Sequence, residues 1–433
     1  MAVQVVAGVD IGTGSARAVA IDRAGRVVAT SGAAYPSSPC LPVGEADPAV
    51  WLDGLGDAVL SLPCAAPLAL GVGGHGPTTV AAGGKLALTY RHPVGASADF
   101  SGQQEMQAAL LKERLGPGTR PQQMWDYLLS CLGGRSNIQS VWPGLEPLTG
   151  FGDPIPVASP IGVTSGSSGL PAGILLAPGS NDAYLTSWAG AIDTPGRGFD
   201  PGGRTGGLGV AVSSRDQGSA AAEGMPSHVP GIHIVGGPVA SHGAMLDWWS
   251  EVTGRQVADL LGAAAAVERG SGGVVVLPFL EGERSPRWEP RLRAEIVGLT
   301  QDSGVGVVTR AILESTAYGL AHIAIELAGQ GVELHRLVSS GGPSRSQLWT
   351  SIKAAVLGVP VDVPACDEMA AYGGALAAGA ALGWWPRPGD GMVGDWPTPP
   401  VTTFDPECST VYEEGLRRFI ALGDQAVSRL GRD

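Results

Sequence analysis

Two aspartates stand where a carboxylate could do chemistry. Asp10 closes a short apolar run and is followed at once by Gly12, Thr13, Ser15 and Arg17 in "GVDIGTGSAR". A hairpin needs only the glycines. An acid beside amides and hydroxyls on so tight a bend also suits a phosphate with its magnesium ion: the turn donates to phosphate oxygens while the carboxylate holds the cation, directly or through waters. Asp182 follows a Gly-Ser pair in "APGSNDAYL", at the start of a predicted helix where N-capping explains it equally well. A second Gly-Thr-Gly turn, "GGRTGG", offers Thr205, Gly206 and Gly207 ahead of the apolar "LGVAV". Two similar turns, one in each half, make a stronger case for phosphate than either alone.

Other glycine-rich stretches are less specific. "GVGGHG" satisfies G-x-G-x-x-G through Gly71, Gly73 and Gly76, but "PTTVAAGGKLAL" follows and predicts a hairpin where a dinucleotide-binding turn needs a helix. No G-x-x-x-x-G-K-[ST] occurs. In "SSGGPSRSQLW", Gly341 and Gly342 let backbone come close to a flat ligand, and the helix after them favours a negative group. "EMAAYGGALAAGAALG" predicts a helix of very small residues, suited to close approach. Tight helix–sheet packing explains both stretches as well.

The elements that must position these residues alternate. The first thirty residues predict three strands with tight turns, and "PLALGVGG" and "TTVAAGGKLAL" predict more. "QQEMQAALLKERLG" and "MWDYLLSCLGG" predict helices, and "RSNIQSVWPGLEPLTGFGDP" a loop. "GLPAGILLAPGSNDAYLTSWAGA" predicts strand, Gly-Ser turn and helix. The Gly- and Pro-dense "IDTPGRGFDPGGRTGG" predicts a hinge near residue 193, dividing the chain into 1–192 and 193–433. Strands alternating with helices in both halves predict α/β domains with mixed sheets.

Bulk properties exclude several partners. The 433 residues suffice for two cores, and Gly 67 and Pro 34 are spread along the chain. A formal charge of −13 without a basic block argues against nucleic acid or an anionic membrane surface. Five widely spaced cysteines without a CxxC pair predict reduced thiols in a cytoplasmic protein and no cysteine-based metal site. No stretch is long and apolar enough to span a bilayer.

In order, the acid–Gly-Thr turn, the Asp after a Gly-Ser turn, the second Gly-Thr turn, "FLEGERSP" and "SSGGPSRSQLW" resemble the FGGY family of carbohydrate kinases, of the sugar-kinase, Hsp70 and actin superfamily. The resemblance implies two ribonuclease-H-like (actin-like ATPase) domains with an interdomain cleft, and transfer of the ATP γ-phosphoryl group to a small sugar or polyol. It casts Asp10 as the acid acting through Mg²⁺. Gly12, Thr13, Ser15 and Arg17 match the first phosphate turn, and Thr205, Gly206 and Gly207 the second. Gly341, Gly342, Ser346 and Gln347 match the adenosine segment, Asp182 matches the catalytic base, and His75, Gly76, Pro77, Thr78 and Asn181 line the sugar pocket. A ketopentose such as D-xylulose is the first acceptor it implies, and a homodimer its assembly. The sequence departs from the family where "TYRHPV" replaces a Trp-x-Asp-x-Arg segment, which keeps open a non-catalytic nucleotide- and sugar-binding protein.

Overall fold

The computed structural model describes residues 3–36, 41–95, 100–166, 169–213, 224–407 and 409–431. The chain forms two units. The first contains Met1–Asp193, Pro226–Gly231 and Glu368–Pro399; the second contains Thr194–Met225, Ile232–Asp367 and Pro400–Asp433.

In the first unit β1 (Val6–Ile11), β2 (Ser15–Ile21) and β3 (Val27–Ala34) form an antiparallel meander. Parallel strands β4 (Ala69–Gly74) and β5 (Leu175–Asn181) extend it from the other side of β1. The sheet order is Gly162–Val163, β5, β4, β1, β2, β3. β1 and β4 are apolar and almost wholly buried, as strands covered on both faces must be. Helices α1 (Pro48–Leu60) and α3 (Met124–Leu132) contribute Trp51, Leu55, Trp125 and Leu128 to the core. Between them runs α2 (Phe100–Leu115), and α4 (Asp182–Ala189) follows β5 directly.

The second unit repeats this plan. Strands β6 (Arg197–Asp200), β7 (Gly206–Ser213) and β8 (Ile232–Val239) form the meander, and β9 (Arg336–Ser339) and β10 (Val361–Pro364) add in parallel. The order β8-β7-β6-β9-β10 mirrors β3-β2-β1-β4-β5. The long helix α5 (Val305–Gly329) is buried along most of its length, and α6 (Gln347–Leu357) and α8 (Thr410–Leu430) pack with it.

The small-residue helix, α7 (Met369–Ala381), packs on the first unit's sheet. Its closeness explains its composition and that of the strands beneath. A Cβ on Gly8 would stand 2.0 Å from the Ala371 carbonyl oxygen, and one on Gly71 1.9 Å from that of Gly374.

Three expectations need correction. The "RSNIQSVWPGLEPLTGFGDP" segment is not all loop: Ile138–Val141 is a strand, paired in parallel with Asp153–Pro156. Flanking Pro and Gly hid its four residues. The Gly-Ser pair before Asp182 is the irregular end of β5, with a register shift between Pro178 and Asn181, and not a separate turn. The division into 1–192 and 193–433 is not contiguous: a boundary falls at Asp193–Thr194, where the Gly- and Pro-dense run predicts a hinge, but Pro226–Gly231 and Glu368–Pro399 return to the first unit. The run itself also contains β6, the central strand of the second sheet. The "GVGGHG" run continues into strand Thr79–Ala81, which removes the dinucleotide-binding reading. Cys40 and Cys408 lie outside the described residues, and Cys64 and Cys131 carry thiols.

Candidate functional site

Strand register gathers the first set of residues. Ile11 on β1 pairs with Gly74 on β4, and Gly74 with Asn181 on β5. The next residue on each strand is therefore Gly12, His75 and Asp182, side by side at the carboxyl edge of three parallel strands. Open α/β sheets bind ligands at this edge. The His75 amide donates to the Ile11 carbonyl at 3.0 Å, fixing the row. The β5 irregularity turns Asp182 out of the sheet onto the first position of α4, where Asn181 Oδ1 caps the helix by accepting from Tyr184 N at 3.1 Å.

Two further carboxylates act on Asp10 here. Burial, then the charges of Asp182 and Glu368, push the Asp10 carboxyl up to about 8, with Arg17 opposing. Burial raises Asp182 to about 6, although its Oδ1 accepts from Ala183 N at 2.9 Å. Arg17 lies opposite Asp10 in the β1–β2 ladder, and its Nε is 3.9 Å from Glu368 Oε1 at the start of α7. Glu368 has no mark in the sequence as a site residue. Only the return of α7 to this sheet brings it here.

Asp10 Oδ1 is buried and has no hydrogen-bond partner among the described residues. No three His, Cys, Asp or Glu side chains group as a metal centre among those residues. One orphaned carboxylate oxygen without a protein cage fits Mg²⁺, which keeps waters and takes its remaining ligands from phosphates.

On the other side of the row, His75 Nδ1 is 3.0 Å from Thr78 Oγ1, and its ring meets Trp51 and Tyr90 edge-on. Burial lowers it to about 4, so it is a neutral hydrogen-bonding group. Pro77 and Thr78 are buried and Gly76 is half-buried. In the first turn, Gly12 N donates to Ser15 O at 3.0 Å, and Thr13 and Arg17 are exposed.

The second unit holds an open cavity of about 480 Å³, large enough for a nucleoside. Gly342 and Ser346 line it with Gly203, Arg204, Leu246 and Trp349. Three close approaches shape it. A Cβ on Gly202 would meet Ser340 O at 2.0 Å, one on Gly243 would meet Gly203 O at 2.4 Å, and Gly341 takes φ +74° against Pro201. Ser346 also caps α6 by accepting from Trp349 N. Thr205 is exposed beside this lining, whereas Gly206 and Gly207 are buried in β7, opposite Val239 and Pro238. Gln347 is exposed and outside the lining. The sequence missed Gly203 and Arg204, although "GGRTGG" contains them. Behind the cavity, Trp349 stacks on His242 with ring centroids 5.4 Å apart. Glu283 pairs with Arg287, which also reaches Asp424.

Two sheets of this order, each with a ligand-ready turn after its central strand, define a ribonuclease-H-like, actin-like α/β protein. Solved structures share that fold over nearly the whole chain. They include a xylulose kinase from Lactobacillus acidophilus (TM-score 0.80, 16% identity, 99% of this chain and 100% of that one). A gluconate kinase from the same organism aligns with TM-score 0.80 at 17% identity, covering 99% of each chain. Plasmodium falciparum glycerol kinase with ADP aligns with TM-score 0.76 at 16% identity, over 99% of this chain and 98% of that one. Residues 209–382 match the profile of the C-terminal domain of the FGGY family of carbohydrate kinases. Residues 209–382 are thus a C-terminal domain of the FGGY type. Glycerol kinase of Gloeobacter violaceus is 38% identical over 151 residues, 34% of this chain and 30% of that protein. That of Chloroflexus aurantiacus is 32% identical over 174 residues, 39% and 34%. The matched part thus spans about a third of these curated relatives.

Proposed function

We propose that the protein is an ATP-dependent carbohydrate kinase that transfers the γ-phosphoryl group to a hydroxyl of a small sugar or polyol. The observation that carries this reading is Asp182: a carboxylate at the carboxyl edge of the parallel strands, beside His75 and Asp10, with its pKa raised by burial to about 6. A base in that range is ionised at neutral pH and still accepts a proton readily.

Phosphoryl transfer asks the protein chiefly for positioning and charge stabilisation. The cavity lined by Gly342, Ser346 and Trp349 is assigned to the nucleoside. Backbone amides and hydroxyls of the turns after β1 and β6 are assigned to phosphate oxygens. Bound at Asp10, Mg²⁺ would supply charge neutralisation for the phosphate tail. Asp182 orients the acceptor hydroxyl and takes its proton as the new bond forms. Neutral His75 offers the acceptor a hydrogen bond without a charge. The acceptor roles thus fall on residues of the first unit and the nucleoside cavity on residues of the second.

The names of the relatives direct the acceptor search to glycerol, xylulose and gluconate, with D-xylulose first. A coupled ATP-consumption screen against pentuloses, hexonates and polyols tests the reading. Acceptor-dependent ADP release supports it. Binding of ATP and a sugar without any turnover would leave the non-catalytic alternative.

A further inference from the structure

Gln104 on α2 and Gln139 on the Ile138–Val141 strand are 1% and 2% exposed. Among the described residues Gln104 Nε2, a donor, and Gln139 Oε1, an acceptor, have no hydrogen-bond partner. Both line one pocket of about 20 Å³, together with Ser180 and Tyr184, which lie two residues either side of Asp182. Space of that size takes one water-sized group. A buried amide group without a partner is costly to the fold, so two in one pocket point to an occupant.

The chemistry of the lining narrows what that occupant is. A hydroxyl donates and accepts at once, and so completes both orphans without bringing a charge. Among the described residues the lining has no Lys, Arg or His, and exposed Glu146 stands at it, so a carboxylate would enter without a counter-charge. Trp125 and Trp142 add flat apolar faces suited to the C–H groups of a sugar or polyol.

We infer that Gln104 and Gln139 together read one hydroxyl of the acceptor, Gln104 donating to it and Gln139 accepting from it. The acceptor is then a neutral polyhydroxy compound and not a sugar acid. The inference rests on the kinase reading of Asp182 for the identity of the ligand as acceptor.

The test measures binding by calorimetry and turnover by ADP release for wild type, Gln104→Met and Gln139→Met. The probes are glycerol, D-xylulose, D-gluconate and the monodeoxy derivatives of whichever neutral probe binds. The wild type is expected to bind a neutral probe at least about 10²-fold more tightly than gluconate, and than one of its monodeoxy derivatives. Each variant, with folding checked by thermal melting, is expected to weaken binding of the parent by about 10–100-fold, to keep kcat within about threefold, and to lose the preference over that derivative. Variants that melt differently but bind the parent as the wild type does would assign the pocket to a structural water and overturn the inference. Preference for gluconate, or binding of none of the probes, would also overturn it. Glutamine-dependent binding without ATP consumption would uphold the hydroxyl site and remove the kinase reading alone.

Discussion

Asp10 and Asp200 hold matching places in two sheets of the same order, each at the end of the central strand just before the turn that leads into the antiparallel hairpin. Their surroundings are opposite. Asp200 Oδ2 accepts from Lys353 Nζ and from Ser339 Oγ, and its Oδ1 accepts from Gly202 N at 3.0 Å, shaping the second turn. Burial would raise Asp200, but Lys353 and then His242 overcome it and hold the carboxyl low. Asp10 Oδ1 has no such partner among the described residues. One acid is closed into the fold and the other is left for a ligand.

Replacing the two is therefore expected to move stability in opposite directions. Asp200→Asn leaves Lys353 buried without its counter-charge and should cost about 3–5 kcal/mol. Asp10→Asn relieves a buried carboxylate and should raise the melting temperature in Mg²⁺-free buffer at pH 7. Thermal melts of both variants read this out, and destabilisation by Asp10→Asn would show that Asp10 is a structural acid.

Asp126 supplies a pH dependence that the site does not govern. Burial raises it to about 7, against a bond from Ser140 N at 2.9 Å. The fold therefore holds its proton more tightly than the unfolded chain does. Stability contributed this way is complete below the ordinary carboxylate pKa and is lost as pH rises from about 4 to 7. Asp126→Asn should gain on the wild type by roughly 1.4 kcal/mol per pH unit across that interval and by a constant amount above it. Denaturant titrations at pH 5, 6, 7 and 8 measure the difference; a constant offset would remove Asp126 as the source.

Gly8 carries the approach of α7. A Cβ there would lie 2.0 Å from both the Ala371 carbonyl oxygen and Ala375 N, so Gly8→Ala must push helix from sheet. The expected cost is about 1–3 kcal/mol or more. Displacement of α7 also moves Glu368, so activity should fall beyond the loss of folded protein. An unchanged urea midpoint would contradict this packing.

Gly342 tests the nucleotide cavity without disturbing the fold, because a Cβ there meets nothing within 4 Å. Gly342→Leu should fill part of the cavity, raise the ATP dissociation constant at least about tenfold and leave the melting temperature unchanged. Unaltered ATP affinity would move the nucleotide elsewhere.

Much of this was legible in short stretches of chain. The Asp10 turn and the Gly341–Gly342 pair announce themselves within ten residues, because turn chemistry is local; the cap of α4 is Asn181 and not Asp182, whose capping the sequence suggested. The alternation of strands and helices gave the α/β class for the same reason. Glu368 and Gln139 were not legible. Glu368 reaches Asp10 only through a helix that returns to a sheet formed more than 300 residues earlier in the chain, and spacing carries no sign of that. Gln139 sits in a four-residue strand whose pairing with Asp153–Pro156, and not its own pattern, makes it a strand. Which residues of "GGRTGG" face the cavity was likewise settled by close backbone approaches at Gly202 and Gly243.

The proposed kinase chemistry stands on Asp182 removing the proton from the acceptor hydroxyl. The direct measurement is steady-state turnover of Asp182→Asn, with the best acceptor from the screen, beside its ATP dissociation constant. A loss of roughly 10²–10⁴-fold in kcat with ATP affinity unchanged is expected, and a wild-type rate that falls below pH 6 as Asp182 protonates. Turnover of the variant within a few-fold of the wild type would contradict it.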